Sequence, residues 1–549
     1  MREGQEIMQK RLTIGIDVGG TNTDGALYDT ASGNISASVK IPTDHTDYRA
    51  SVHAAVERLL RSASPEEIIS LNISTTLSTN ALLEGKGAPV ALALIGYEDF
   101  PHIKNEILET VSPAALLSAR GGHNGWGKER ETLDREALSR FARKNAGGYF
   151  AVSSLYSPRN PQHEMEAAAI IKAAGCAGVT CGHEIARSKL NSVKRTVTAF
   201  LNSSLMEVTK RLIRGVEFCA ALHGLSCPVM FLRSDSSLVC GQWCARFPLE
   251  TIFSGPAASM RGAMLLGGIG KEDAVIADMG GTSTDIGVVK AGKAVYSNEG
   301  AAIGNYRTMI PSLEIRSIAL GGDSAVQIDA KGRLTIGPER VRPYCRADKA
   351  EDCGYTPSDA LAALGAAAFA GGAGSAAASK EYGDRLGLSA VEFAQLVRGE
   401  VSRRLYEALH ESGGDKDVRR VCVGAPIAAF AGGEGGDCMV PEEAAIASAV
   451  GAASSSLSLS CSVSILHSFF DENFYAFLPS CQIKGTDFTA VRARARSVLE
   501  KYLTKQARLM GFKDACAKIS EEYEYIGKEK SLSSLAAVTL NGKALVHDA

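Results

Sequence analysis

Two stretches of the chain share one pattern of apolar and polar positions. In each, an apolar β-rich run, Leu12 to Ile16 or Ala274 to Ala277, ends at an aspartate, and a glycine- and threonine-rich segment separates it from a second apolar run. Short apolar runs around paired glycines predict a strand, a tight turn and a second strand. The eight residues from Asp17 and the eight from Asp278 agree at six positions. The pattern therefore predicts one β-hairpin that occurs twice.

The turn of each hairpin carries residues that suit a phosphate group. Paired glycines let backbone N–H groups approach a ligand, and threonine hydroxyls add further donors. A carboxylate at the strand end cannot favour a bare phosphate, but it can hold a magnesium ion, through water, that bridges phosphate oxygens. One such turn alone is equally typical of an ordinary hairpin, whereas the duplication favours a nucleotide held by two clamps. We predict Asp17 and Asp278 as catalytic and metal-binding residues, and the following as phosphate-binding residues: Gly19, Gly20, Thr21, Asn22, Thr23, Gly280, Gly281, Thr282, Ser283 and Thr284.

Other apolar runs predict neighbouring elements. The spacing of apolar residues predicts an amphipathic helix between Thr46 and Arg61, and Glu184 to Arg214 is mostly helical in pattern. The continuous run Pro89 to Ile95 predicts a strand buried on both faces. The Asn541-Gly542 pair between apolar residues predicts a further hairpin near the end of the chain.

The order of these motifs resembles the hydantoinase A/5-oxoprolinase family, within the ATPase superfamily of sugar kinases, Hsp70 and actin. The resemblance covers roughly residues 12 to 455. It implies ATP and Mg²⁺ as cofactors and an α/β, two-lobed actin/Hsp70/sugar-kinase-like (ribonuclease H-like) fold with duplicated phosphate-binding hairpins. Besides the hairpins, it runs through Ser74 to Glu84, Asn160-Pro161-Gln162-His163-Glu164, Ser234-Asp235, Ser254-Gly255-Pro256-Ala257 and Gly321-Gly322-Asp323-Ser324.

The length of 549 residues exceeds what one hydrophobic core usually organises. We predict a first lobe over residues 12–190, a second lobe with the second hairpin over 191–455, and a small C-terminal α/β module over 456–549. One clamp in each lobe implies a nucleotide held in the cleft between two similar domains.

The resemblance adds three glycines to the nucleotide site. Gly321 and Gly322 match the family's glycine-rich turn, although Asp323 stands where the family often has glycine. Gly424 follows a strand at the position where relatives place glycines against the adenosine. The expected second glycine is missing there, and further glycines follow only within 432–436.

Two polar residues are candidates for a direct catalytic role. Asp235 lies in the matching Ser234-Asp235 segment and is a candidate to orient substrate or water, but Ser236 follows where the family usually has glycine, and a turn-forming aspartate explains the position equally well. His123 lies in a glycine-rich loop where related sequences often carry Gly-Gly-His; the alternative is a solvated histidine. Thr76 and Asn80 are candidates for ligand contact or, equally, for helix capping.

Composition narrows the class of protein. A net charge of −2 and 22% charged residues give no electrostatic footprint for nucleic acid or an anionic membrane. The polar stretch Met1 to Arg11 lacks the apolar core of a secretory signal, and no apolar run is long enough to cross a bilayer, so we expect a cytoplasmic protein. Thirteen scattered cysteines without a CxxC pair indicate neither a zinc site nor a redox dithiol, and we expect most to be reduced.

The resemblance implies an enzyme that hydrolyses a cyclic amide, such as a hydantoin, 5-oxoproline or a related lactam, after ATP has phosphorylated the amide oxygen. The chain has no GxSxG elbow and no HExxH motif, so a separate hydantoinase B-like subunit is expected to complete the reaction. Two alternatives remain open: an ATP-dependent ketone carboxylase subunit of the acetone or acetophenone type, and a nucleotide-dependent activator module without turnover. Homo-oligomerisation is also open.

Overall fold

A computed structural model of the protein shows a mixed α/β fold. The structure describes residues 11–44, 47–186, 190–297, 299–346, 353–366, 373–414, 418–431, 438–468, 470–512, 514–525 and 535–546. Its strands are β1 Leu12–Val18, β2 Asn22–Asp29, β3 Ile35–Pro42, β4 Ile68–Thr75, β5 Val90–Ile95, β6 Ala115–Ala119, β7 Tyr149–Ser154, β8 Gly178–Cys181, β9 Val229–Leu232, β10 Leu238–Cys240, β11 Ala274–Met279, β12 Thr284–Lys290, β13 Lys293–Ala294, β14 Ala302–Ile303, β15 Tyr306–Arg307, β16 Ile315–Ile318, β17 Ser324–Ile328, β18 Leu334–Arg340, β19 Arg342–Pro343, β20 Cys353–Gly354, β21 Arg419–Val423, β22 Cys438–Met439, β23 Leu459–Ser468, β24 Asn473–Phe477, β25 Gln482–Gly485, β26 Ala515–Tyr525 and β27 Leu535–Val546. Its helices are α1 Tyr48–Leu59, α2 Leu77–Leu83, α3 Pro101–Thr110, α4 Arg135–Lys144, α5 Gln162–Ala173, α6 Gly182–Ala186, α7 Ser192–Leu222, α8 Gly241–Arg246, α9 Ser254–Leu266, α10 Pro357–Ala363, α11 Ala373–Asp384, α12 Ala390–Gly413, α13 Ile427–Ala431, α14 Ala447–Ala453 and α15 Phe488–Leu509.

The contacts divide the chain into two compact units. The first unit contains Met1–Ser74, Gly255–Tyr296 and Leu313–Ser454, and the second contains Thr75–Ser254, Ser297–Ser312 and Ser455–Ala549. Both predicted hairpins belong to the first unit. The predicted domain boundaries near residues 190 and 455 stay a prediction.

The first unit contains two sheets, each with one of the duplicated hairpins. In one sheet the strands β4, β1, β2 and β3 lie side by side in that order, and β1 and β2 are antiparallel with Asp17 opposite Asp24. In the other sheet the order is β13-β12-β11-β21-β22, and the antiparallel pair β11 and β12 places Asp278 opposite Asp285. The predicted duplication is therefore confirmed down to the register of the two strands.

Two helices rich in small residues join these sheets within the first unit. A Cβ atom on Gly262 of α9 would lie 1.8 Å from the carbonyl oxygen of Ala447, and one on Gly451 of α14 would lie 1.8 Å from that of Ala258. A Cβ atom on Gly15 of β1 would lie 2.1 Å from a carbonyl oxygen of α14. Only glycine permits such close backbone approaches, so α14 packs directly on the first hairpin and against α9.

The second unit contains a parallel sheet and a C-terminal antiparallel sheet. The parallel sheet has the order β6-β5-β7-β8, and every residue of β5 is buried, as the apolar run predicted. The C-terminal sheet has the order β25-β24-β23-β27-β26 and packs against α15. The predicted hairpin at Asn541-Gly542 is wrong, because both residues lie inside the continuous strand β27. Gly542 instead makes room for α15, since a Cβ atom there would lie 2.4 Å from a methyl carbon of Leu503.

Two further expectations concern the membrane and the cysteines. No helix in the described part of the chain is long and apolar enough to cross a bilayer. Cys422 and Cys438 are joined by a disulfide bond, which the absence of a CxxC pair did not predict. The other cysteines of the described ranges are free thiols, as expected for most of them.

Candidate functional site

Asp17, near the end of the first strand of the first hairpin, has a carboxylate oxygen that lacks a hydrogen-bond donor. Asp17 Oδ1 is buried and has no hydrogen-bond partner among the described residues. Burial raises the pKa of Asp17, and the hydroxyls of Ser74 and Ser448 and the charge of Lys40 offset only part of that effect. A buried carboxylate oxygen without a donor is costly unless a cation completes its surroundings.

The second hairpin repeats this arrangement. Burial raises the pKa of Asp278 to about 7, the hydroxyl of Ser259 on α9 opposes the shift, and the negative charges of Asp285 and Asp17 add to it. The carboxylates of the two hairpins are therefore close enough for one to influence the other. Two such groups, one with an unpartnered oxygen, form the donor set that a hard divalent cation such as Mg²⁺ binds. The residues present fit the ion that the sequence predicted.

The glycine turns have matching backbone geometry. The N–H of Gly19 donates to the carbonyl of Asn22 at 3.1 Å, and the N–H of Gly280 donates to that of Ser283 at 2.9 Å. In each case the hydrogen bond closes the turn directly after the aspartate strand. The predicted clamp residues therefore stand at equivalent places in the two hairpins.

The other predicted glycines lie beside the second hairpin. The N–H of Gly322 donates to the carbonyl of Gly280 at 3.0 Å. A Cβ atom on Gly321 would lie 2.5 Å from the carbonyl oxygen of Gly281, so the 321–322 turn rests on the hairpin tip. Gly424 has a φ of 103° and packs against the strand end, where a Cβ atom would lie 2.8 Å from Asp278 Oδ1. The glycines expected within 432–436 lie outside the described residues.

Sequence reasoning did not identify two arginines that lie beside the 321–322 turn. Arg340 Nη2 donates to Thr21 Oγ1 and to Asp323 Oδ2, both at 3.1 Å, while Arg346 Nη1 donates to Asp323 Oδ1 at 2.9 Å. Asp323 is only 1% exposed, and its carboxylate lies against Gly281. Arg340 therefore connects the tip of the first hairpin to the turn on the second. A guanidinium group there suits phosphate oxygens, which it can bind with two parallel hydrogen bonds.

Lys40 forms an ion pair with Asp24 in the second strand of the first hairpin. Lys40 Nζ lies 2.7 Å from Asp24 Oδ1 and 2.8 Å from Asp24 Oδ2, and it also donates to the carbonyl of Ala445 at 3.1 Å. Burial raises the pKa of Asp24 to about 6 although the charge of Lys40 acts against it. The charge of Lys40 also acts against the raised pKa of Asp17, and no sequence motif indicated this lysine.

The two other predicted catalytic residues belong to the second unit. Asp235 forms a salt bridge of 3.0 Å with Arg233, and its Oδ1 accepts from the N–H of Ser237 at 3.1 Å. This is the pattern of a turn-forming aspartate, and Ser236 has a φ of 62° where the family has glycine. The catalytic assignment of Asp235 stays a prediction. Asn80 Nδ2 lies 3.5 Å from Thr76 Oγ1 at the start of α2, where the side chain of Thr76 makes no capping hydrogen bond.

His123 is buried rather than solvated. Its ring lies 4.4 Å from that of His163, and its Nδ1 has no hydrogen-bond partner in the described ranges. His163 is itself fixed, because its Nδ1 accepts from the N–H of Gly122 at 2.8 Å and its Nε2 lies 3.1 Å from Glu129 Oε1. A catalytic role for His123 also stays a prediction.

The burial of His123 predicts an acid-sensitive fold. Burial, followed by the charge of His163, lowers its pKa from 6.5 to about 4, although Glu129 and Glu166 act in the opposite direction. As the pH falls from 6.5 towards 4, the unfolded chain binds a proton that the folded chain does not, so the free energy of unfolding decreases. In His123→Gln we expect the loss between pH 7 and 4.5 to shrink by about 1 to 2 kcal/mol after allowance for solvent screening. Urea unfolding at pH 7 and 4.5 measures the loss of unfolding free energy, and His102→Gln, at an exposed position, is the control. Equal losses in the unchanged protein and in both variants would contradict the prediction.

Comparison with known proteins identifies the family. The sequence profile of hydantoinase/oxoprolinase matches residues 195–394, and that of the hydantoinase/oxoprolinase N-terminal region matches residues 13–175. The chain is 30% identical over 356 residues to the caprolactamase subunit alpha of Pseudomonas jessenii, a match that covers 60% of this chain and 51% of that protein. It is 24% identical over 364 residues to the acetophenone carboxylase gamma subunit of Aromatoleum aromaticum, covering 59% and 49%.

One solved structure agrees with the fold over nearly the whole chain. The ATP-dependent caprolactamase of Pseudomonas jessenii matches with a TM-score of 0.71 at 20% sequence identity, covering 97% of this chain and 87% of that one. The sequence matches span about half the length of these two curated relatives. The two family profiles confirm the resemblance: the chain belongs to the hydantoinase/oxoprolinase family.

Proposed function

We propose that this protein is the ATP-using part of an enzyme that hydrolyses a cyclic amide by phosphorylating the amide oxygen. The observation that carries the proposal is the pair of aspartate-glycine hairpins, with an unpartnered carboxylate oxygen on Asp17 and a pKa of Asp278 raised to about 7. Two carboxylates of this kind, each followed by a glycine turn, are suited to a magnesium nucleotide. The caprolactamase relative supports a lactam as the organic substrate.

Asp17 and Asp278 would hold the magnesium ion, which would neutralise charge on the phosphate oxygens. The backbone N–H groups of the two turns would hold the phosphates, and Gly424 would lie against the adenosine. The chain itself would then act by positioning and by electrostatic stabilisation, which account for most of the catalysis of phosphoryl transfer.

The need for ATP follows from the chemistry of the amide. Resonance makes the carbonyl of an unstrained lactam a poor electrophile and its nitrogen a poor leaving group. A phosphate group on the amide oxygen gives an activated imidate that water can attack. In this scheme the chain aligns the terminal phosphate with the amide oxygen and excludes water until transfer is complete.

The wider architecture is part of the proposal. We expect the two-lobed actin/Hsp70/sugar-kinase-like arrangement, with lobes over residues 12–190 and 191–455 and a module over 456–549. A hydantoinase B-like partner would supply the groups for the attack on the activated amide, since the subunit names of the two curated relatives indicate multi-subunit enzymes. The cytoplasm is the expected location.

Phosphate release from Mg·ATP by the purified chain tests the proposal. The assay compares a panel of lactams and hydantoins with no addition, in the absence and presence of any protein that co-purifies with the chain. Stimulation by a cyclic amide, with stoichiometric ring opening, is the expected result. Phosphate release without ring opening in every condition would contradict it.

A ketone carboxylase subunit is the second candidate, because the acetophenone carboxylase gamma subunit is among the relatives. In that reaction ATP would phosphorylate an enol or bicarbonate. Phosphate release that requires both bicarbonate and a ketone, and is indifferent to lactams, would select this function instead.

Arg340 gives a prediction about the phosphate end of the site. Because its guanidinium lies between Thr21 and Asp323, Arg340→Met should weaken binding of Mg·ATP by about ten- to thirtyfold, or about 1.4 to 2 kcal/mol. Binding of AMP, which lacks the terminal phosphates, should change less than threefold. Isothermal titration with both nucleotides measures this, and Arg333→Met, which removes a surface pair with Asp329, is the matched control. Equal effects on ATP and AMP would contradict the role.

A further inference from the structure

A cavity of about 180 Å³ lies within the second unit, and the nucleotide site does not use it. Its walls come from helices α6 and α8 and from the C-terminal segment, which contributes Cys461 of β23 and Tyr502 and Gln506 of α15. An engineered cavity of about 150 Å³ is known to hold benzene, so a ring of five to seven atoms fits this volume. The cavity therefore offers a place for a small cyclic molecule.

One polar part of the wall is an ion pair. Arg246 Nη2 lies 2.5 Å from Glu184 Oε1, and both side chains line the cavity. This contact uses one guanidinium nitrogen and one carboxylate oxygen. Among the described residues no other hydrogen bond of these two side chains is formed, so the other Arg246 nitrogens can donate to a ligand and Glu184 Oε2 can accept from it.

Two buried side chains hold the backbone next to Glu184 and at Arg246 in place. Glu164 is fully buried, and its Oε2 accepts from the N–H of His183 at 2.8 Å and from His183 Nδ1 at 2.6 Å, which holds the start of α6 in place. The side chain of Asn202, also fully buried, donates to the carbonyl of Arg246 at 2.9 Å. Burial raises the pKa of Glu164, but the hydrogen bond and charge of His183 and the charge of Arg195 outweigh it and leave the pKa below the ordinary value. An ionised Glu164 is thus a permanent acceptor for the start of α6.

Another part of the wall is aromatic, and Ser480, Tyr502 and Gln506 add further polar side chains. Trp243 and Phe247 line the cavity with ring centroids 4.8 Å apart, and the guanidinium of Arg246 lies 5.0 Å from the centroid of Phe247. Trp243 Nε1 donates to Glu250 at 2.8 Å, so the indole is held in one orientation. Aromatic rings with one ion pair at the edge suit a compact molecule that is apolar except along one side.

The geometry points to an uncharged lactam ring as the occupant. In a small lactam the ring forces the amide to be cis, so its C=O and N–H lie on the same edge, whereas an open-chain secondary amide is trans and presents them on opposite sides. The C=O would accept from Arg246 and the N–H would donate to Glu184, while the methylene groups would lie against the aromatic rings. The choice of a lactam rests on the proposed function, and the inference gives residues 456–549 a task as one wall of a lactam-binding cavity.

Ligand-observed NMR and isothermal titration of the full chain without nucleotide test this inference. We expect δ-valerolactam and ε-caprolactam to bind saturably, and cyclohexanone and N-methylacetamide to bind at least tenfold more weakly. Arg246→Met and Glu184→Gln should each weaken lactam binding at least tenfold, and Ser480→Trp, at an exposed position that lines the cavity, should abolish it. Arg211→Met, which breaks the surface pair with Glu207, is the matched control and should change nothing.

The outcomes separate the inference from the proposed function. Lactam binding that survives both Ser480→Trp and Arg246→Met in folded protein would overturn the inference even if lactams stimulate phosphate release. Failure of both lactams to bind would overturn it as well. Cavity binding without any ATP chemistry would leave the inference standing and remove the proposed function.

Discussion

Replacing Asp17 or Asp278 by asparagine should reduce magnesium-dependent binding of ATP at least about a hundredfold and lactam-stimulated phosphate release about a thousandfold. Each change removes one negative charge from a buried pair whose hydroxyl and lysine neighbours offset only part of the cost of burial, so that a bound cation would stabilise both carboxylates. A hundredfold loss of affinity corresponds to about 2.8 kcal/mol. Isothermal titration with and without Mg²⁺ separates the metal-dependent part from direct nucleotide contacts.

The double variant sharpens this prediction. If both aspartates hold one ion, Asp17→Asn combined with Asp278→Asn should lose scarcely more affinity than either change alone, since the ion is already lost. Asp329→Asn, in an exposed turn of the same unit, is the matched control. Additive losses would mean that the aspartates act separately, and unchanged affinity in both single variants would remove the metal site from the account.

Gly424→Ala should both destabilise the first unit and damage the site. The residue has a φ of 103°, and a Cβ atom would lie 2.2 Å from the carbonyl oxygen of Met279 and 2.8 Å from Asp278 Oδ1. Strain and overlap with backbone atoms, which cannot rotate away, should cost about 3 kcal/mol or more. The surviving folded protein should bind Mg·ATP weakly, because Asp278 is displaced.

The matched control for this change is another glycine with a positive φ. Gly387 has a φ of 69°, but no atom lies within 4 Å of the place of its missing Cβ. Gly387→Ala should therefore cost only about 1 to 2 kcal/mol and leave ATP affinity unchanged. Thermal melting and titration of both variants give the comparison. Equal destabilisation by the two changes would show that the contact of Gly424 with the aspartate strand is unimportant.

The duplicated hairpins were predictable because their information is local. Apolar runs, paired glycines and the aspartates at Asp17 and Asp278 stand within a few residues of one another, and the structure reproduces both strands and their register. Strand β5 was predictable for the same reason, because a strand buried on both faces is a continuous apolar run in the sequence itself.

The charged surroundings of the hairpins were not predictable. Arg340 meets Thr21 across more than three hundred residues, and no local pattern in its segment distinguishes it from the arginines nearby. The contacts also group both hairpins into one unit, a grouping that the sequence did not indicate. Within that unit Gly262 packs against Ala447, a contact that sequence pattern alone does not reveal.

The Asn541-Gly542 pair shows how a strong local signal can be overruled. This pair favours a two-residue turn, yet β27 continues through it because it pairs with β23 on one side and β26 on the other. The glycine is explained by α15 above it rather than by a turn. For His123 the glycine-rich loop left a catalytic or a solvated ring open, and the structure buries the ring against His163.

The fate of the amide oxygen tests the central claim most directly. A lactam labelled with ¹⁸O in its carbonyl is turned over with unlabelled ATP and water by the chain together with any partner that co-purifies with it, and the released phosphate is analysed by mass spectrometry. If the amide oxygen is phosphorylated, the released phosphate carries the ¹⁸O label in proportion to the lactam opened. Unlabelled phosphate, with the label retained in the ring-opened carboxylate, would contradict the account.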